Sequence, residues 1–207
     1  MTITYYSEVE QGSDSWLGLR RGTLCASEVK LILTPTLKIA DNEKTRSHVW
    51  EIAAQRISGY TEPTYIGDAM LRGRDDEVTA RDLYSEKYSA VTEVGFVTND
   101  DLGFTIGYSP DGLVGDDGLI EIKSRVQKYQ VQTIVENVPP DEFMLQLQTG
   151  LFVTGRKWID FISYSGGLEM VTMRVLPDAK YQDAIRDAAI GFETKVAAAV
   201  GIYRERL

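Results

Sequence analysis

The sequence predicts a domain of the α/β or α+β class, with helices flanking a central mixed β-sheet, the choice depending on whether the late strands join the earlier ones. Three observations predict it. Helical periodicity governs residues 43–58 and 68–88; it gives way to alternation and short β-prone runs from Val91 to Lys123; and helical spacing then returns ahead of a second strand pair, Lys157–Tyr164 and Glu169–Leu176. No internal repeat, low-complexity tract or Pro/Gly/Ser-rich linker breaks the 207 residues, so residues 1–207 read as one domain.

Taken in order, Ser13 or Asp14 can cap a short helix through Ser15–Arg21. Ser27 leads a second, Glu28–Leu33, whose opening amides would face the loop from Gly22 to Ala26. In the helix at 68–88, Ala69, Leu71, Val78, Leu83 and Tyr84 are the candidate buried stripe. Val91–Thr98, Phe104–Tyr108 and Gly118–Lys123 then read as a three-stranded meander, turning at Asn99-Asp100-Asp101 and Gly115-Asp116-Asp117-Gly118. Helices follow at about 125–136 and 140–154, the second running from Pro139-Pro140-Asp141 to Gly155. Ser165-Gly166-Gly167 turns the late strand pair, and residues 178–206 form a long closing helix.

Composition narrows the chemistry. Apolar residues make up 43% of the chain, yet no window approaches the roughly 18 consecutive apolar residues of a membrane helix, and the N-terminus shows neither a basic flank nor an apolar run. A lone Cys25, read as core filler, excludes a disulfide framework and a Cys-based zinc site within one chain, and points to a reducing cytosol. With a single histidine, His48, read as a surface helix residue, neither a Ser-His-Asp triad nor a His-rich metal site is expected, and catalysis would have to run on carboxylates, Lys, Tyr or a hard metal ion. The formal charge of -9 argues against a polyanionic partner only as a sum. Residues 61–120 carry thirteen acids against four bases and hold the whole excess; the two flanking segments are neutral.

The segment richest in chemistry is Ser109-Pro110-Asp111-Gly112, and Glu121-Ile122-Lys123 follows with nine residues between Asp111 and Glu121. A hairpin would bring Asp111 and Glu121 together at the sheet end, and Glu121 and Lys123, two apart on a strand, would share the face that Asp111 borders. Two carboxylates and the carbonyl of Ile122 are hard oxygen donors of the kind Mg²⁺ or Mn²⁺ takes. Beside such an ion Lys123 would orient or deprotonate a water, its pKa lowered by the cation. An exposed Glu-x-Lys strand and a Pro-Asp-Gly turn account for the same residues without any chemistry.

Pro110-Asp111 with Glu121-Ile122-Lys123 resembles the PD-(D/E)xK nuclease signature, and the likeness extends further. Glu10-Gln11-Gly12-Ser13-Asp14-Ser15-Trp16, Leu19-Arg20-Arg21-Gly22 and Ala26-Ser27-Glu28-Val29 resemble the N-terminal motif of phage lambda exonuclease and its YqaJ-type relatives. Gly73-Arg74-Asp75-Asp76-Glu77 with Ala80-Arg81, then Gln146-Leu147-Gln148 with Val153-Thr154, match further blocks in the same order, so the likeness runs from residue 8 to about 164.

The resemblance implies a restriction-endonuclease-like core. It implies processive, Mg²⁺-dependent 5′→3′ digestion of duplex DNA ends, with Mn²⁺ as a substitute, mononucleotide products and a 3′ overhang. Two metal ions per site are implied, held by Asp111, Glu121, the carbonyl of Ile122, and Glu77. Lys123 would contact the nucleophilic water, Gln148 would support Lys123 and the substrate, and Arg20, Ser27 and Ser109 would hold a terminal 5′ phosphate. Also implied are a homotrimeric ring, a single-strand annealing protein as partner, and a phage or prophage origin in a bacterial cytoplasm. An endonuclease on the same fold and a non-catalytic DNA-end-binding scaffold are the rival functions. Arg125 and Lys128 suit either a clamp on the DNA backbone or a solvated helix face. The charge distribution, with its acids in turns and at the metal site, implies a basic, metal-filled entrance on an acidic exterior.

Overall fold

The computed structural model describes residues 2–63 and 67–207, and of residues 68–70 the backbone only. The strands make two four-stranded sheets instead of one central sheet. The first consists of β1 (Ile3–Tyr6), β2 (Leu24–Cys25), β3 (Phe96–Asn99) and β4 (Ile106–Tyr108), in the order β1-β3-β4-β2. β2 runs parallel to β4; the other two pairings are antiparallel. The second sheet takes β5 (Gly112–Val114), β6 (Gly118–Ser124), β7 (Trp158–Tyr164) and β8 (Val171–Val175) in sequence order, with β6 and β7 parallel from Gly118↔Trp158 to Ser124↔Tyr164.

The expected three-stranded meander is thus two hairpins in different sheets, β3–β4 and β5–β6. The break falls at Ser109-Pro110-Asp111. Pro110 has no N–H to carry a ladder onward, and its carbonyl accepts instead from Gln11 Nε2 at 2.9 Å. The late strands do join this sheet, since a parallel β6–β7 pair requires a long crossover. That crossover is α4 (Gln127–Glu136) and α5 (Asp141–Thr154). Asp141 and Glu142 in its first turn and Gly155 at φ 64° after its last residue set the limits of α5.

At the N-terminus, α1 (Asp14–Arg20) begins at Ser13, whose hydroxyl accepts the amide of Trp16 at 3.2 Å. The second expected helix is a short 3₁₀ segment, Ala26–Leu31, and Ser27 does not cap it. Cys25 stands at the cap position, with the Glu28 carboxylate returning to its amide at 2.8 Å, which leaves Ser27 inside the segment and exposed. α2 (Glu43–Ser58) packs against the closing helix α6 (Ala179–Glu205), and Arg56 forks onto Glu193 at 2.6 and 2.8 Å. His48 is buried here, stacked on Phe192 at 5.2 Å, because α6 covers the face that a lone α2 would expose. Cys25 is buried as expected.

α3 (Asp68–Lys87) corrects the apolar stripe. Leu71, Val78 and Leu83 are exposed, and the side chain of Ala69 lies outside the described residues. The inward face is Glu77, Ala80, Arg81 and Tyr84, an i, i+3, i+4, i+7 set, of which Ala80 and Tyr84 pack on Val114, Ile120, Ile122 and Ile162. Tyr84 then donates its hydroxyl to Asp160 Oδ2 at 2.7 Å, and Arg174 holds the same carboxylate at 2.8 and 2.9 Å, fixing α3 to the second sheet. The larger apolar cluster includes Val97 and Ile106 of the first sheet, Leu119 and Phe161 of the second, and Leu147 and Phe192 from the helices. Among the described residues no helix is long and apolar enough to cross a membrane.

Candidate active site

The β5–β6 register pairs Gly112 with Ile120, so one step back Asp111 stands opposite Glu121. The Ile122 amide donates to Asp111 Oδ2 at 2.5 Å and locks that carboxylate against β6. Ile122 buries its side chain in the apolar cluster under α3, so it meets Asp111 through its main chain. Glu121 is 2% exposed and accepts three hydrogen bonds: Lys123 Nζ at 2.6 Å and Gln146 Nε2 at 2.5 Å on Oε1, and the Tyr108 hydroxyl at 2.6 Å on Oε2. Glu77 reaches the same space from α3. Its partner Arg81 also donates from Nε to the carbonyl of Asp111 at 2.9 Å and pairs with Glu93 at 2.7 Å.

These groups perturb one another strongly. Burial pushes the Asp111 carboxyl well above the usual carboxylate range, and the charges of Glu121 and Glu77 push it further, against Lys123 and the Ile122 amide. Glu77 is raised by burial as well, against Arg81 and with Glu121. Burial alone would lower Lys123, but Glu121, Asp111 and Glu77 outweigh it and hold the ammonium above its ordinary value. Lys123 is therefore held as a protonated donor by the acids around it when no cation is bound. Tyr108 is raised by burial and by Glu121 and Asp111, so it too stays a donor.

Among the described residues no three His, Cys, Asp or Glu side chains come together as a ready-made metal cluster. Arg81 draws Glu77 aside, while Lys123 and Gln146 engage Glu121. The donor set nonetheless fits a hard divalent cation: oxygen donors only, and two carboxyls whose raised proton affinity reports an unmet demand for positive charge.

Gln148 does not reach the site. Two residues along a helix turn a side chain by about 200°, and Gln148 donates to Leu176 O at 2.8 Å and accepts the Asp178 amide at 2.9 Å, tying α5 to the start of α6. Gln146 occupies the place expected of Gln148. Tyr108, Gln146 and Arg81 are the groups that sequence reasoning gave no role in the site; the usable signal for Arg81 was its i+4 spacing from Glu77 on one helix face.

Of the three residues assigned to a phosphate, the structure joins two. Arg20 Nη1 lies 3.4 Å from Ser109 Oγ, with its guanidinium over the Trp16 ring at 4.5 Å. Trp16 Nε1 donates to Ser109 Oγ at 2.9 Å and to Gly95 O at 3.1 Å. Ser27 is joined to neither by a hydrogen bond among the described residues. A cleft of about 620 Å³ connects this corner to the carboxylates, lined by Trp16, Arg74, Glu77, Arg81, Glu93 and Asp111 among others. With Glu8 and Glu10 also on its wall, acids outnumber bases there, so the positive charge of the expected metal-filled entrance would have to come from the ions.

Residues 15–157 match the model of the YqaJ-like viral recombinase domain. The chain belongs to that family. The solved alkaline exonuclease of Laribacter hongkongensis is 31% identical, with 94% of this chain and 97% of that one covered and a TM-score of 0.83. Its complex with dAMP superposes with a TM-score of 0.84 at the same identity and coverage. A phage-related exonuclease from Haemophilus somnus 129PT shares the fold, with a TM-score of 0.60 at 13% identity over 87% of this chain and 96% of that one. No curated protein matches the chain in sequence. In this YqaJ-like protein the two sheets and flanking helices are therefore a PD-(D/E)xK core.

Proposed function

We propose that this deoxyribonuclease is a Mg²⁺-dependent exonuclease that enters at the ends of duplex DNA and digests the 5′-ended strand. It releases 5′-mononucleotides and leaves a 3′ overhang for recombination by strand annealing. The observation that carries the reading is Asp111 opposite Glu121, with Lys123 on the face of Glu121 and Glu77 arriving from α3. Asp111, Glu121, Glu77 and the main chain at Ile122 would hold divalent cations, two in this reading, which supply Lewis-acid activation of water and neutralise charge on the leaving oxygen. Lys123, on the face of Glu121, contacts the attacking water and orients it. Gln146 and Tyr108 fix the Glu121 carboxylate in one rotamer, and Arg81 fixes Glu77 and the main chain of Asp111.

Strand polarity follows from the neighbouring corner. Arg20 and Ser109 would take a terminal 5′ phosphate two residues from Asp111, where a guanidinium and a hydroxyl already converge. A relative solved with dAMP, a mononucleotide, supports the product class. Processive action, a ring of three subunits, an annealing protein as partner and work in a bacterial cytoplasm complete the proposal and rest on family resemblance.

The test is digestion of linear duplex carrying either 5′ phosphate or 5′ hydroxyl, with and without Mg²⁺, read for mononucleotides and for which strand shortens. We expect release from the 5′-phosphorylated strand, dependent on the metal. Equal cutting of closed circles would replace the exonuclease with an endonuclease. No release with Mg²⁺ or Mn²⁺ would leave a DNA-end-binding scaffold.

A further inference from the structure

Beyond the carboxylates, β6 continues into a cationic corner at Arg125 and Lys128, for which the sequence leaves both a DNA-backbone clamp and a solvated helix face open. Arg125 follows β6, and its amide donates to Tyr164 O at 2.7 Å, extending the β6–β7 ladder by one residue. Glu121, Lys123 and Arg125 therefore alternate onto one face at intervals of about 6.6 Å. A single ring joins the last two: Phe143 lies 5.5 Å from Lys123 Nζ and 5.0 Å from the Arg125 guanidinium.

Arg125 is unusually placed for a cation at a strand end. Its side chain is only 10% exposed, held between Phe143 and Tyr129, with the Tyr129 ring 5.1 Å away. Its Nε is buried and has no hydrogen-bond partner among the described residues. A buried donor without an acceptor is costly, and one on a guanidinium marks a place where an acceptor belongs. The only carboxylate paired with it among the described residues is Glu142, at 2.7 Å, which is 61% exposed and already suited to the first turn of α5. Only the Glu142 side of the pair faces solvent, so its carboxylate can swing away and leave the guanidinium to another anion.

Two further positive features point the same way. α4 has Val126 at its cap position, with no side-chain cap and no acid in its first turn, so no side chain of that turn neutralises its first amides and its dipole. Lys128 lies in that turn, exposed, 4.6 Å from the Tyr129 ring.

We propose that Arg125, Lys128 and the uncapped start of α4 form a subsite for a backbone phosphate of the DNA strand, one step along β6 from Lys123. The phosphate takes the place of Glu142 on the guanidinium. Tyr129, half exposed beside it, offers a face for the adjoining sugar or base. The proposal rests on the nuclease reading, and its test separates the two.

Steady-state digestion of 5′-phosphorylated linear duplex is measured for the wild type, Arg125→Ala, Arg125→Lys and Glu142→Gln between about 50 and 200 mM salt, the range over which phosphate contacts are lost. For Arg125→Ala we expect KM to rise about tenfold with kcat nearly unchanged, as for one charge-assisted contact. The slope of log KM against log salt should fall by about 0.9, the value for one phosphate. Arg125→Lys should keep most of that slope, and Glu142→Gln, which removes the competitor and nothing buried, should lower KM. Unchanged KM and slope in Arg125→Ala, or a KM in Glu142→Gln equal to or above the wild type, would overturn the subsite. If Arg125→Ala does not fold, Glu142→Gln decides. A second arm titrates dAMP and inorganic phosphate as inhibitors. Weaker inhibition in Arg125→Ala with no change in the DNA KM would assign the corner to free phosphate and overturn the DNA assignment. A wild type that releases no nucleotides would be the failure of the nuclease reading itself.

Discussion

The two sheets meet at Ser109-Pro110-Asp111 and treat charge in opposite ways. On the first-sheet side, Arg20 rests on the Trp16 ring and touches the Ser109 hydroxyl, and no carboxylate among the described residues pairs with it. On the second-sheet side, Asp111, Glu121 and Glu77 crowd together until burial and mutual repulsion lift two of them above their ordinary range. One side is a cation free to take an anion, and the other is a set of acids in want of cations. The difference teaches why an acidic chain can act on a polyanion: the negative charge is gathered where cations are to bind, and a positive group with no carboxylate partner among the described residues touches Ser109, two residues from Asp111.

The sharpest way to break that contrast is Asp111→Asn. The amide oxygen can still accept the Ile122 amide, so the fold is kept while the site loses a charge. Nuclease activity should fall by about 10²–10³-fold or more, the cost of removing one group that stabilises developing charge. Stability should move the other way. In chelator at neutral pH, the variant should melt about 2–4 °C above the wild type, the shift that 1 kcal/mol gives in a chain of this size. A lower melting temperature would mean that the carboxylates are not in conflict.

Arg20→Ala tests the other side and should have a smaller, conditional effect. Rates on 5′-phosphorylated ends should fall about 10–100-fold, the range for a hydrogen bond to a charged group, while 5′-hydroxyl ends are cut as by the wild type. Equal losses on both ends would make Arg20 a structural partner of Trp16 and take end recognition away from this corner.

How far these assignments were legible in the sequence differs between the two regions for a physical reason. Asp111, Glu121 and Lys123 lie on one hairpin, where strand alternation and a nine-residue gap fix who faces whom. The same locality made α2 and α5 readable to within a residue. The groups that serve them arrive through tertiary packing. Tyr108 belongs to the other sheet, and Gln146 comes from a crossover helix whose rotation about its own axis no local pattern sets. The stripe on α3 was misread because half of it is Glu77 and Arg81: the helix buries charge toward the cleft, so apolar spacing pointed to its solvent side. Ser27 reads as a helix lead in sequence, but the 3₁₀ segment starts at Ala26 with Cys25 at its cap position, which puts Ser27 inside it.

The two glutamines of α5 give the finest test of where the site ends. Gln146 donates to Glu121, and Gln148 bridges to Leu176 and Asp178 on the far side of the same helix. Gln146→Ala removes one of three donors to a buried carboxylate, so kcat should fall about tenfold, a loss of roughly 1.4 kcal/mol, with little change in melting temperature. Gln148→Ala leaves the Leu176 carbonyl and the Asp178 amide without their partner. It should therefore lower the melting temperature by about 2–6 °C, for roughly 1–2 kcal/mol, and leave kcat within about twofold at a temperature where both proteins are folded. The two variants should thus separate completely, one in rate and the other in stability. If Gln148→Ala instead costs rate and Gln146→Ala only stability, α5 is rotated in the working enzyme, and the residue beside Glu121 is the one the motif marks and not the one the geometry does.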